Sequence, residues 1–149
     1  MKKILSLVLA FCLACLSVSA LAEIPDSVED LPEIITDADV EDFFGEWQTL
    51  YAVYDDEMAS LEDAASIFGT LPVVRIDEEK IAIVTGDEVN ESEYVYDAAE
   101  DYSMILVFES GKDAPVLDIK LTDTDLLRVR FIDAMLELYM APVEESAET

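Results

Sequence analysis

The feature that most constrains this chain is a run of short β-prone segments set between turn residues, from Leu71 almost to the end. Leu71 to Ile76 is followed by Asp77-Glu78-Glu79-Lys80, Ile81 to Thr85 by Gly86-Asp87, and Glu93 to Tyr96 by Asp97. Ser103 to Phe108 leads into Ser110-Gly111-Lys112-Asp113. Val116 to Leu121 alternates, with Leu117, Ile119 and Leu121 on one face, and ends at Thr122-Asp123-Thr124-Asp125. Leu127, Val129 and Phe131 share a face opposite Arg128 and Arg130, and Leu136 to Met140 stops before Pro142. Upstream, Gln48 to Tyr54 is also rich in β-formers. A period of two with hairpin-length gaps argues for antiparallel strands. Eight such strands close into an up-and-down barrel, because closure removes unpaired edges. The expected fold is therefore all-β, an eight-stranded antiparallel barrel, with a β-sandwich as the alternative. An α/β fold does not fit, since one short helix alone interrupts the strands.

That helix is read between Ser60 and Gly69. Ser60 followed by Asp63 is a capping-box variant, and Gly69 suits a helix stop. Leu61, Ala64, Ala65 and Phe68 fall on one face. The face can plug the sheet or act as a lid over a barrel mouth.

The first 22 residues read as a secretory signal peptide of bacterial type. Met1-Lys2-Lys3 is basic, Ile4 to Ser19 is apolar or small, and Ala20-Leu21-Ala22 is a small-x-small cleavage site. The apolar run is too short, and its far flank too acidic, for a good membrane span. Secretion without a transmembrane segment is the expectation. Leu13-Ala14-Cys15 offers a lesser alternative, lipid anchoring through Cys15. Both cysteines, Cys12 and Cys15, lie in this segment, so the mature chain has no thiol for disulfides or metals. Residues 23–36, broken by Pro25 and Pro32, read as an acidic linker, residues 37–143 as one folded domain, and residues 144–149 as an acidic tail.

Charge excludes several functions. The chain carries 8 Lys and Arg against 35 Asp and Glu, a net charge of −27. Such a field repels nucleic acid and anionic membranes, and favours cationic partners. There is no His, so no imidazole base or ligand exists. With 4 Gly in all, there is no phosphate-cradling loop. The oxygen-rich acidic turns can attract Ca²⁺ weakly, but the loop opening at Asp37-Ala38-Asp39 lacks the Gly and terminal Glu of an EF-hand, so no specific site is supported. No catalytic residue, metal site or cofactor is expected, and the chain is expected to be a monomeric non-enzyme.

One short stretch organises the rest. Asp37 to Asp42 reads as a short helical turn capped by Asp37, stopped at Gly45, two residues before the only Trp, Trp47. A helical turn feeding Gly45-x-Trp47 at the first strand resembles the entry motif of the lipocalins. Thr122-Asp123-Thr124, after the sixth strand, is similar to that family's Thr-Asp-Tyr motif, with Thr124 in place of Tyr. The family's final Arg, which packs over the Trp, has no counterpart after Arg130; Arg128 or Arg130 is a substitute.

The resemblance implies a secreted, lipocalin-like (calycin-type) β-barrel that binds a small apolar or amphipathic molecule in its mouth. By parity with an inward Trp47, the candidate ligand-binding residues are Thr49, Tyr51 and Val53. From other strands come Met104, Leu106 and Phe108, then Leu127, Val129 and Phe131. Each is equally a candidate for plain core packing. The alternative function is a packed acidic barrel that meets a cationic protein or cell-surface partner.

Overall fold

The computed structural model describes residues 24–111 and 113–143. The cleavage site, Cys15, Lys112 and the acidic tail lie outside the described residues. The fold belongs to one compact unit, Asp26–Val143.

Its strands are β1 (Gly45–Tyr54), β2 (Glu57–Ala59), β3 (Val73–Ile76), β4 (Ile81–Thr85), β5 (Glu88–Ser92), β6 (Val95–Ala99), β7 (Tyr102–Phe108), β8 (Pro115–Leu121), β9 (Leu127–Phe131) and β10 (Leu136–Pro142). A single helix, α1 (Leu61–Phe68), stands between β2 and β3. Nine strands form one hydrogen-bonded path, β5-β4-β3-β1-β10-β9-β8-β7-β6, and β2 pairs with β1 beside it. All pairings are antiparallel. The chain is thus all-β, and one continuous sheet takes the place of the two sheets of a sandwich. The sheet curls into a half-barrel.

Two features differ from the eight-stranded expectation. First, β2 and β5 carry no apolar alternation. Every residue of β5 is exposed, and Glu88-Val89-Asn90-Glu91-Ser92 holds one apolar side chain. It is a strand because Gly86, at φ 64°, reverses the chain tightly onto β4, pairing Thr85 with Glu88. Likewise Asp55 and Asp56, at φ 50° and 63°, turn β1 into β2. Asp tolerates this left-handed region better than most residues. Second, β5 and β6 are consecutive in sequence yet lie at opposite ends of the path with no ladder between them. The expected strand Glu93 to Tyr96 straddles that break.

Register assigns the faces. Trp47 and Thr49 are paired on the same side as Met140, Leu138 and Leu136 of β10, which are buried in the core. A bulge then intervenes: Thr49 faces Met140 and Tyr51 faces Tyr139, leaving Leu50 as the extra residue. An extra residue inverts parity beyond it. Tyr51 and Val53 therefore lie on the outer face, and Ala52 takes the inner one. On β7 the inner positions are Ile105 and Val107, paired with Ile119 and Leu117. Met104 and Leu106 face outward, against expectation. Met104 to Phe108 is apolar at every position, so its pattern carries no parity.

One end of the curl is filled by the segment leading into β1. A 3₁₀ turn, Val40–Phe43, starts after Asp39 rather than Asp37, and the Asp42 carboxylate accepts the Asp39 N–H at 2.9 Å. The turn drops Phe43, fully buried, into the core beside Trp47. The Trp47 indole N–H donates to the Phe43 carbonyl at 3.0 Å. Gly45, at φ 125°, permits the bend between them. The same segment reaches the far end of the sheet. The Ala38 N–H donates to Ser103 Oγ at 3.0 Å, the Tyr96 hydroxyl donates to the Ala38 carbonyl, and Phe43 meets Tyr96 edge-on. Upstream, Ile34 bridges Thr122, Ile35 N–H donates to Leu121 and Asp123 N–H to Glu33. Part of the expected linker is thus a strap pinned to the β8–β9 turn. Thr122 Oγ1 accepts the Leu126 N–H at 3.0 Å and closes that turn.

The helix matches its reading. Ser60 accepts from the Asp63 N–H, and Gly69 ends it at φ 82°. Ala64 is buried, and Phe68 packs on Phe131 with ring centres 5.3 Å apart. The helix plugs the curl at the end opposite Trp47.

Replacing Trp47 with Ala is expected to cost about 3–5 kcal/mol, a large share of a domain's stability. Native Trp emission should be blue-shifted and move red on unfolding. Urea titration followed by fluorescence of the wild type, and by circular dichroism of the variant, checks both. A near-neutral variant would show that Trp47 does not hold the end of the curl.

Burial pushes the Tyr51 phenol up from 10.0 to about 12, and raises its stacked neighbour Tyr139 as well, with Glu137 adding to that shift. The native state therefore keeps protons that the unfolded chain releases near pH 10. This stability is complete below that pH and is lost as pH rises through the folded values. Urea midpoints should fall between pH 9 and pH 11, and fall less steeply in Tyr51→Phe. Parallel profiles would remove Tyr51 as the cause.

Candidate functional site

The unpaired edges of β5 and β6 leave a seam, and beside it opens a cleft of about 410 Å³. One wall is Ile81 and Ile83 of β4 with Asn90 and Ser92 of β5. The other is Val107 and Phe108 of β7, Val116 and Leu117 of β8, and Phe131 of β9. Glu109, Asp133 and Ala134 complete it. Its walls come from opposite ends of the strand path, so the curl itself creates it. The volume falls within the roughly 300–1,000 Å³ of small-molecule sites, and the lining is mostly apolar with a few polar groups. A second hollow of about 440 Å³ lies between α1 and the β1–β2 hairpin, bordered by Tyr54, Met58, Ala64 and Ile67.

The nine expected binding residues are dispersed. Phe108 and Phe131 border the cleft. Leu127 and Val129 are fully buried and fill the interior. Thr49 faces inward, but its hydroxyl donates to the Pro72 carbonyl at 2.8 Å. Tyr51, Val53, Met104 and Leu106 lie on the outer face, for the reasons of bulge and register given above. Sequence reasoning missed the other ten lining residues, among them Ile81, Ile83, Asn90, Ser92, Val107, Leu117 and Asp133. The β4 pair lies in Ile81 to Val84, apolar at every position, so that run carries no parity. The two β5 residues carry none either, because that strand is set by its turn.

The outer face carries a polar network in place of a cation stacked on the Trp. Asp118, buried, pairs with Arg128 beside it and with Arg130 at 2.7 Å. Asp118 sits directly opposite Arg130, and Arg128 opposite Tyr139, which stacks on Tyr51 with centres 4.9 Å apart. Arg128 Nε is buried without a hydrogen-bond partner. Both arginines are thus committed to the face away from Trp47. Among the described residues no group of three His, Cys, Asp or Glu is placed to hold a metal, and no helix is long and apolar enough to cross a membrane.

Comparison with protein-family models, with curated proteins and with solved structures finds no match to this chain.

Replacing Asp118 with Asn strips the counter-charge from one largely buried and one half-exposed guanidinium. Breaking a buried pair costs about 3–5 kcal/mol, and the exposed partner adds little. A loss near the lower end of that range is expected in urea unfolding. A neutral result would mean that the two arginines find water instead.

Proposed function

We propose that this chain is a secreted, lipocalin-like module that binds a small apolar or amphipathic molecule in the seam cleft. The observation that carries the reading is the cleft itself, an apolar hollow formed by strands from both ends of one curled sheet. A 3₁₀ turn feeding Gly45-x-Trp47, a buried Trp47 and an up-and-down strand order agree with the family resemblance. The interior around Trp47 is packed with Phe43, Ile119, Leu127, Val129 and Met140, all fully buried. A ligand therefore sits at the seam, not deep beneath it. In this reading the seam replaces the mouth of a fully closed eight-stranded barrel.

A neutral apolar dye such as Nile red tests the reading. Wild-type protein is expected to bind it with a blue-shifted, saturable signal. Ile83→Trp, which fills the cleft from the β4 wall, should weaken binding at least about tenfold, the scale of a lost apolar contact of 1–3 kcal/mol. No saturable binding would leave the acidic outer surface, facing a cationic protein or cell-surface partner, as the better reading.

A further inference from the structure

We propose that the seam cleft selects a soluble amphiphile with a cationic head, such as an alkylamine or quaternary ammonium; this rests on the ligand-binding reading above. The lining divides by chemistry. Ile81, Ile83, Val107, Val116, Leu117 and Phe131 offer a surface for an apolar tail. The polar groups that border it are Asn90, Ser92, Glu109 and Asp133, and among the described residues that line it there is no Lys or Arg.

An anionic head is the poorest fit. A carboxylate or sulfate entering the cleft meets Asp133, an exposed acid in the β9–β10 turn, and the described lining residues offer it no cation. The described cations are engaged or elsewhere. Arg75 pairs with Glu46 at 2.7 Å, Lys80 lies 3.9 Å from Glu91, and Arg128 and Arg130 are held by Asp118. Lys120 is opposite Arg128 on the outer face. Beyond the cleft, the net charge of −27 adds a field of the same sign. That field is screened over about 8 Å at physiological salt, so the nearby acid decides the preference and the global charge assists it. A cationic head gains both. Its tail gains the apolar walls, which a small inorganic cation cannot use.

Displacement of Nile red by three twelve-carbon amphiphiles below their micelle concentrations tests this. The probes are dodecyltrimethylammonium, dodecyl maltoside and dodecanoate. The cationic probe is expected to displace the dye at concentrations at least about fivefold lower than dodecanoate, with the gap narrowing as salt rises. Asp133→Asn should weaken the cationic probe about two- to fivefold, as for one partly exposed ion pair, and leave the maltoside unchanged. Glu100→Gln, in the β6–β7 turn, makes the same change of net charge away from the cleft and should do nothing. Equal or tighter dodecanoate binding overturns the proposal. So does an equal effect of Glu100→Gln, which would reduce the preference to the global field. If Nile red and all three probes fail to bind, the ligand-binding reading fails and the head-group preference goes with it. Maltoside binding without cationic preference overturns only the latter.

Discussion

The structure depends on the way residues 38–47 span the curled sheet. Strand β1 stands in the middle of the path and β6 and β7 at one end, with four ladders between β1 and β7. Ladders alone set twist and spacing, not how far a sheet curls. The segment before β1 supplies that missing restraint. Its carbonyl at Ala38 accepts from Tyr96, its N–H at Ala38 donates to Ser103, and Phe43 packs on Tyr96. At its other end Trp47 is fastened to Phe43 through the indole N–H. Buried polar groups are thereby satisfied at the point where apolar rings fill the curl, so burial and hydrogen bonding support the same geometry.

The outer face obeys a different rule. A half-barrel has one face whose apolar side chains meet across the curl, and that face excludes charge. All five described cations lie on or beside the other face, in a chain with a large acidic excess. Four of these five cations meet an acid, while Lys120 stands opposite Arg128. Asp118 answers two of them, and Glu46 and Glu91 answer Arg75 and Lys80. Cross-strand pairs of opposite charge support register. A one-residue slip would push Asp118, Arg128 and Arg130 into the core. The network thus acts against wrong registers as much as it stabilises the right one.

What the sequence makes legible follows from these rules. The helix from Leu61 to Phe68 was readable because Ser60, Asp63 and Gly69 each act locally. The all-β class was readable because β8, β9 and β10 repeat their pattern between hairpin-length turns. Trp47 as a buried anchor was readable from its neighbours Phe43 and Gly45. The faces were less so. A bulge at Leu50 inverts Tyr51 and Val53, and nothing local announces it; the register shift is set by pairing with β10. Strand β7 hides its parity because both faces are apolar. Strand β5 hides altogether, since its place is decided by Gly86 and by backbone ladder bonds that any side chain can make. The cleft inherits these gaps: half of it is built from strands whose position depends on partners distant in sequence.

The seam has a local cause and a distant one. Where this chain reverses tightly at Asp55-Asp56 and at Gly86, it uses left-handed backbone. Glu93 and Tyr94, between β5 and β6, have no positive φ, and the chain runs on without a turn. That alone does not forbid a hairpin, because β6 and β7 pair across Glu100-Asp101 without it. The second cause is Tyr94. Its hydroxyl donates to the Asp77 carbonyl in the β3–β4 turn, and the Asp77 carboxylate in turn accepts the N–H groups of Glu79 and Lys80 at 2.8 Å each. These bonds hold the Asp77 carboxyl below its usual range. The crossing between β5 and β6 is therefore tied to the foot of the β3–β4 hairpin, and a tied crossing cannot fold back into a two-residue reversal. One residue that ends the ladder also anchors its loose end. Open edges invite pairing with other chains, and the acids Glu88, Glu91, Asp97 and Glu100 on these two strands and the adjoining turn oppose it. The seam is left with what a backbone partner cannot use and an apolar tail can: the side-chain walls of β4, β7 and β8.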